Sequence, residues 1–356
     1  MMHRPRLWIR AETRSTEQRV PIVPADAGRL VRAGFTVTVE ESPQRVFPLA
    51  AYAAVGCRTA PAGTWVDADT DQFVVGLKEL SDQPEALRHR HIYFGHAYKE
   101  QRGAARLLSR FTVGGGRLLD LEYLVDGAGR RLAAFGYWAG YVGAAVAVLH
   151  LRGTLHSPLV PITRSALDAE LRAGARSATG TRALVVGALG RCGRGARDAL
   201  EVAGIAPTCW DLAETRDLDL AALLSHDLLV NAVLAIRPVP PFVTPEDLAQ
   251  PRRLRTIVDV SCDVGSPCNV LPIYDRPTTW GTPVARLRSG QVPVDLIAID
   301  NLPSLLPLEA SESFSAELTP LLTTLEDPSG EVWRRCQETF DRQVTRTRKM
   351  KESTVG

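Results

Sequence analysis

The sequence predicts an α/β protein built from two doubly wound parallel-sheet domains, and three observations carry that expectation. The chain has 356 residues, about twice the roughly 150 that one domain commonly uses. Short apolar runs, too brief for helices, alternate along it with amphipathic helical stretches, as buried parallel strands joined by crossover helices do. One such run, ALVV at 183–186, passes directly into glycines and a helical stretch, a pattern that seats a phosphate on backbone N–H groups at a helix start.

Composition narrows the partners. Hydrophobic residues make up 45% and charged residues 23%, and 42 Lys+Arg against 40 Asp+Glu leave a net charge of +2. That balance provides no global field for a nucleic acid or an anionic membrane, so recognition rests on a few placed charges and a small-molecule substrate is expected. Cys57, Cys192, Cys209, Cys262, Cys268 and Cys336 form no C-x-x-C, so neither a zinc site nor a disulfide framework is indicated and no metal is expected. A reducing, cytoplasmic setting fits this usage, and the charged first 19 residues lack the apolar core of a signal peptide.

Residues 132–149 carry no formal charge and reach the length of a membrane span. Their glycines and alanines make the apolar density low for lipid, so a buried helix is the better reading. Gly136, Gly140, Ala144 and Val148 recur at four-residue spacing, which predicts close packing at an interface between domains or between subunits of an oligomer.

Element by element, 6–10 reads as a strand, 24–33 as an amphipathic helix stopped by Gly34, and 35–40 as a β-branched strand, together a βαβ unit. Strands are expected at 73–77, 91–96 and 117–122, so that Lys78, Glu79, His96 and Glu122 lie at or just beyond strand C-terminal ends, where an open α/β sheet presents its crevice. The second, Rossmann-like domain opens at 183–186. Its glycines, Gly187, Gly190, Gly193 and Gly195, are spaced G-x-x-G-x-x-G-x-G rather than G-x-G-x-x-G. Asp211 follows Gly190 by 21 residues and ends the next strand. An acidic side chain there accepts hydrogen bonds from ribose hydroxyls and repels a 2′-phosphate, favouring NAD over NADP; its other reading is a helix N-cap. Further strands are expected at 227–233, 256–261 and 294–300, and 331–351 as an amphipathic helix whose basic end is a solvated C-terminus. The expected division is 1–136 completed by 308–356, and 137–307.

Hydride transfer at a carbon bearing nitrogen passes through an imine that is protonated and hydrated, so two proton-transfer groups serve better than one. Lys78 and His96 supply that pair. Burial beside Leu77 lowers a lysine's pKa and Glu79 opposes this. The plainer readings are a surface salt bridge for Lys78 with Glu79 and a core histidine for His96, with His89 and His91 structural or exposed. Arg14, Arg19, Lys99, Arg130 and Arg131 stand near predicted strand ends, either as surface charges or as cations that grip carboxylates.

These residues fall in longer stretches that carry a resemblance: RAET at 10–13, EQR at 17–19, GLKE at 76–79, GHAYKEQ at 95–101, DLEY at 120–123, GRRLAAFG at 129–136, GALGRCG at 187–193, DVS at 259–261 and IDNLPSLLP at 299–307. In content and order the chain resembles the NAD-dependent, lysine-forming saccharopine dehydrogenase family, within the broader group of alanine dehydrogenase and transhydrogenase. The resemblance implies two Rossmann-like domains with an active-site cleft between them, and conversion of saccharopine to lysine and 2-oxoglutarate, or the reverse. It implies that Lys78 takes the proton from the secondary amine, that His96 serves imine hydration, and that Glu79 and Glu122 tune them. Arg19 and Arg131 would bind substrate carboxylates, with Lys99, Glu17 and Arg14 nearby. Gly187, Gly190, Arg191, Cys192 and Gly193 would cradle NAD, with Asp211 at its ribose and Asp300 on the nicotinamide side. Departures occur at Arg14 for a lysine, Asn301 for a histidine, Leu234 for an aromatic, and Ala232 for the cysteine that pairs with the loop cysteine in the fungal pattern. They leave the amine open, so that an opine-type reductase joining 2-oxoglutarate to another amine is one alternative; a non-catalytic NAD-binding module is a second, which the presence of both Lys78 and His96 opposes.

Overall fold

The computed structural model describes residues 5–98, 103–174, 180–327 and 330–355. The chain forms two compact units, Met1–Ala134 with Leu308–Gly356, and Phe135–Pro307.

In the first unit, β1 (Arg6–Ile9), α1 (Pro24–Arg32), β2 (Thr36–Glu40), α2 (Leu49–Ala54), β3 (Arg58–Ala60), β4 (Phe73–Val75), β5 (Arg90–Tyr93), α3 (Ala104–Gly114) and β6 (Arg117–Asp120) follow in order. The sheet runs β3-β2-β1-β4-β5-β6 with every pairing parallel. Pro24 opens α1, Asp26 stands in its first turn, Arg29 and Arg32 in its last, an arrangement the helix dipole favours. Gly34, at φ 91°, then turns the chain into β2. Apart from the edge strand β3, which has no buried residue, the strands carry the core through Leu7, Ile9, Val37, Val39, Phe73, Val75 and Ile92.

The strands end earlier than periodicity predicts because side chains take over the ladder. After β4, Gly76 N–H still reaches Ile92 O at 3.0 Å, but the next two N–H groups, of Leu77 and Lys78, donate to the Glu12 carboxylate at 2.7 and 2.9 Å. After β6, Asp120 caps a 3₁₀ turn at Leu121–Tyr123.

The second unit contains α4 (Gly136–Leu151), α5 (Arg164–Ala173), β7 (Ala183–Val186), α6 (Arg191–Val202), β8 (Thr208–Trp210), α7 (Leu212–Arg216), α8 (Leu220–Leu224), β9 (Leu228–Asn231), β10 (Thr256–Asp259), β11 (Ala285–Arg288) and β12 (Val294–Ile297). Its order is β11-β12-β10-β9-β7-β8. All pairings are parallel except the edge strand β11, which runs antiparallel to β12.

The small-residue stripe of α4 requires a correction: its partner is α6 of the same unit, not another domain or subunit. A Cβ on Gly140 would lie 1.8 Å from Cys192 O, and one on Gly195 would lie 1.9 Å from Tyr137 O. The two helices meet backbone to backbone. No helix among the described residues is long and apolar enough to cross a membrane.

The chain then returns to the first unit with α9 (Pro307–Leu322) and α10 (Glu331–Val355). Val20 and Val23 N–H donate to the Ser311 and Ser315 hydroxyls at 2.9 and 3.0 Å, and Ser315 O–H donates to Asp26 at 2.6 Å. Phe340 of α10 meets Phe111 of α3 edge-on at 5.8 Å.

Candidate active site

The first sheet changes direction between β1 and β4, since the chain builds outward from β1 to β3 and resumes on the other side. Such a switch point opens a crevice at the carboxyl ends of the strands. Four neighbouring parallel strands deliver side chains to that edge: Arg10 and Glu12 follow β1, Lys78 and Glu79 follow β4, His96 follows β5, Asp120 ends β6 and Glu122 lies in the 3₁₀ turn after it.

Lys78 is partly exposed and Glu79 exposed. Glu79 pairs with Arg14, and its main chain accepts from Thr13 Oγ1 at 3.1 Å. Burial raises the Glu79 carboxyl, but the Arg14 guanidinium, a backbone N–H and the Lys78 charge outweigh it and hold the group below the usual glutamate range. Glu17 feels Lys78 too: burial pushes its carboxyl up, while Arg19 and Lys78 bring it below its ordinary value. Arg19 grips Glu17 bidentately, Nε to Oε1 at 2.8 Å and Nη2 to Oε2 at 2.7 Å, with the side chains 3% and 0% exposed. The guanidinium and carboxylate thus form a buried ion pair, while Arg14 and Arg131, 44% and 39% exposed, are open to solvent.

The His96 side chain is 56% exposed, which removes the core-histidine reading, and its Nδ1 stands 3.6 Å from Glu122 Oε2. Glu122 Oε1 lies 3.6 Å from Arg131 Nη2, so one carboxylate faces both groups. The backbone of His96 adopts φ 48°, a left-handed conformation that strains a residue bearing a Cβ. Gly95 before it makes room for β6, since a Cβ there would meet Leu118 at 2.5 Å and Asp120 Oδ2 at 3.2 Å. Lys99 lies outside the described residues. His89 and His91 are buried, at 2% and 0% exposure, and belong to an aromatic cluster with Trp65. Among the described residues no cluster of ligating side chains is arranged for a metal.

Sequence reasoning did not assign a role to Asp120. It is fully buried, and its Oδ1 accepts Glu122 N–H at 2.9 Å. Burial, with Glu122 adding to it, pushes its carboxyl up to about 6 against backbone N–H groups and His96. An acidic residue closing an apolar strand, LLD at 118–120, was the available signal.

In the second unit the switch point falls between β7 and β9, and the glycine loop lies there. Gly187 has φ 81°, and a Cβ on it would meet Val233 and Ala232 of the chain after β9 at 3.0–3.1 Å. Gly193 lets α6 approach, since its Cβ would stand 2.1 Å from Gly187 O. Gly190 is the N-cap of α6, and Arg191, Cys192 and Gly193 form its first turn, where N–H groups have no intrahelical acceptor. Tight turn, close packing and helix start are together the cradle a pyrophosphate needs.

Asp211 follows β8 directly and meets its helix N-cap reading, capping α7 in a capping box with Glu214, and its Oδ2 accepts Leu189 N–H of the glycine loop at 3.0 Å. Asp259, the last residue of β10, is buried and accepts from Asn231 at the end of β9, from Ser261 and, at 2.7 Å, from Tyr274 O–H. Asp300, exposed in the turn after β12, acts electrostatically on the Cys262 thiol, which burial first and Asp259 next raise above its ordinary value.

Comparison with known proteins agrees with this architecture. Residues 8–142 match the alanine dehydrogenase/PNT N-terminal domain and 169–349 the alanine dehydrogenase/PNT C-terminal domain. The chain is 42% identical to saccharopine dehydrogenase (NAD(+), L-lysine-forming) of Neurospora crassa, over 95% of this chain and 96% of that one. It is 40% identical to the protein of the same name from Emericella nidulans, over 95% and 97%. In structure it is similar to an L-alanine dehydrogenase, with a TM-score of 0.68 at 16% identity over 94% of this chain and 93% of the other, a likeness of fold. The chain therefore belongs to the alanine dehydrogenase/PNT family, in its saccharopine dehydrogenase (NAD(+), L-lysine-forming) branch.

Proposed function

We propose that this chain catalyses the NAD-dependent oxidative cleavage of saccharopine to L-lysine and 2-oxoglutarate, and the reverse condensation. The observation that carries the reading is the convergence of Lys78, His96 and Glu122 at the carboxyl ends of three neighbouring strands, in a chain 42% identical to an enzyme of that name. The glycine loop and first turn of α6 fit the pyrophosphate of NAD, and Asp211 fits the ribose. NAD supplies the acceptor for hydride.

The protein's own groups handle protons and carboxylates. Lys78 takes the proton from the secondary amine. His96 moves protons during water addition to the imine and collapse of the carbinolamine, oriented by Glu122. Arg14 and Arg131, the solvent-accessible forks, bind substrate carboxylates; Arg19 holds Glu17, and the pair keeps a negative charge beside Lys78. Lysine supplies only four of the 42 cationic residues, so a cation at position 78 that deprotonates more readily than arginine suits a base. Six free cysteines accord with a cytoplasmic setting.

The test is steady-state oxidation of saccharopine with NAD, with lysine and 2-oxoglutarate quantified, and reductive condensation assayed with lysine, ornithine and related amines. Oxidation requires Lys78 to accept the proton of the secondary amine, so its rate falls as pH is lowered. Lys78→Met lowers kcat by about 10²–10⁴-fold and removes one ionisation from the acid limb. A profile untouched by the substitution refutes the base assignment, and preference for an amine other than lysine refutes the substrate.

A further inference from the structure

Lys78 is held by its peptide as well as by its side-chain surroundings. Its N–H donates to Glu12 Oε2 at 2.9 Å, beside Leu77 N–H on Oε1 at 2.7 Å, and its carbonyl accepts from the Arg10 guanidinium. Arg10 and Glu12 are themselves paired, Nη1 to Oε2 at 3.2 Å, with side chains 1% and 5% exposed. The guanidinium also donates to Ala11 O at 3.1 Å and lies 5.6 Å from the Tyr93 ring centroid. Gly76 makes the room: a Cβ there would fall 2.5 Å from Arg10 Cζ. Two buried opposite charges therefore grip the two peptide groups that flank the Lys78 Cα, one on each side, three residues beyond the end of β4.

A buried ion pair is an inefficient way to close a loop for stability alone, since desolvation of both ions offsets much of their attraction and an apolar plug does as well. What charge-assisted hydrogen bonds add is fixed geometry. From this geometry we infer that Arg10 and Glu12 are positioning residues for Lys78, fixing the direction in which its amine leaves the backbone. The inference rests on the reading of Lys78 as the base. Displacing a reacting group by about 1 Å costs about 10²-fold in rate, so the clamp acts on turnover through Lys78.

A double-mutant cycle tests it, with Glu12→Gln and Lys78→Met made singly and together and saccharopine oxidation measured at saturating NAD. Glutamine turns an N–H donor toward one of the two amides that Glu12 accepts. Expected is a loss in kcat of about 10-fold or more from Glu12→Gln alone, with KM for NAD within about twofold, and less than about twofold further loss in the Lys78→Met background. Equal losses in both backgrounds overturn the inference, because a general loosening does not depend on Lys78. An unchanged rate in Lys78→Met overturns the base assignment instead.

Should Glu12→Gln fail to fold, or Lys78→Met leave too little turnover to compare, Arg10→Gln with ¹³Cε-labelled lysine decides. With four lysines in the chain, and none added by this substitution, the Lys78 signal is assigned by its absence in Lys78→Met. It shifts in Arg10→Gln while the signal of Lys349 stays put, or the clamp does not set the side chain and the inference fails.

Discussion

Asp120 gives the sharpest quantitative test of the electrostatics at the edge of the first sheet. Its carboxyl is raised from an ordinary 3.8 to about 6 in the folded protein, chiefly by burial. At about 1.4 kcal/mol per pH unit, that displacement amounts to about 3 kcal/mol at full ionisation. Because the folded value is the higher one, the stabilising contribution of the neutral acid is complete below pH 3.8 and is lost as pH rises through about 6. Asp120→Asn keeps the oxygen that accepts Glu122 N–H and never ionises. Relative to the native chain it should therefore gain about 1 kcal/mol by pH 4.5 and about 3 kcal/mol by pH 7.5, on top of any constant offset. Urea unfolding of both proteins across that range, followed by tryptophan fluorescence, measures the difference. Two stability curves that run parallel with pH refute the reasoning, as does a gap that closes with rising pH.

Two further outcomes follow from close contacts. Gly140→Ala drives a methyl group into the Cys192 carbonyl, 1.8 Å away, and should cost about 3 kcal/mol or more; a thermal midpoint within a degree of the native one counts against the α4–α6 packing. Asp211→Ala removes a helix cap, worth about 1 kcal/mol, together with the acceptor of Leu189 N–H. KM for NAD should rise about tenfold at one lost charged hydrogen bond, with KM for saccharopine unchanged, and steady-state kinetics separates the two.

Much of this architecture was readable along the chain. Strand, glycines and helix are contiguous from 183 to 202, so the cradle is a local pattern, and so are the strands that lead to Lys78, His96 and Glu122. What periodicity missed depends on contacts distant in sequence. Glu12 ends β4 from 65 residues away, and no local pattern records which carboxylate will take those amides. The burial of Asp120 follows from β5 and β6 pairing and from α10 covering the strand. Arg19 looks like any cation by the strand ends until folding sets its fork on Glu17. The glycine stripe of α4 announced a close neighbour without saying which, because a helix face carries no address. The antiparallel edge β11 escaped notice because its apolar–polar alternation lasts only four residues, the shortest run from which a strand can be read.

The first unit is interrupted in sequence, and its return segment supplies Ser311 and Ser315 to the start of α1 and covers β6 with α10. During translation some 170 residues separate the two parts, about 10–35 s of synthesis at 5–20 residues per second. Over that interval the nascent β1–β6 sheet must wait with part of its apolar surface uncovered, while the contiguous second unit has everything it needs to fold on emergence. Ribosome-bound chains should accordingly acquire a protease-resistant second unit first, and holdase chaperones should favour the amino-terminal third.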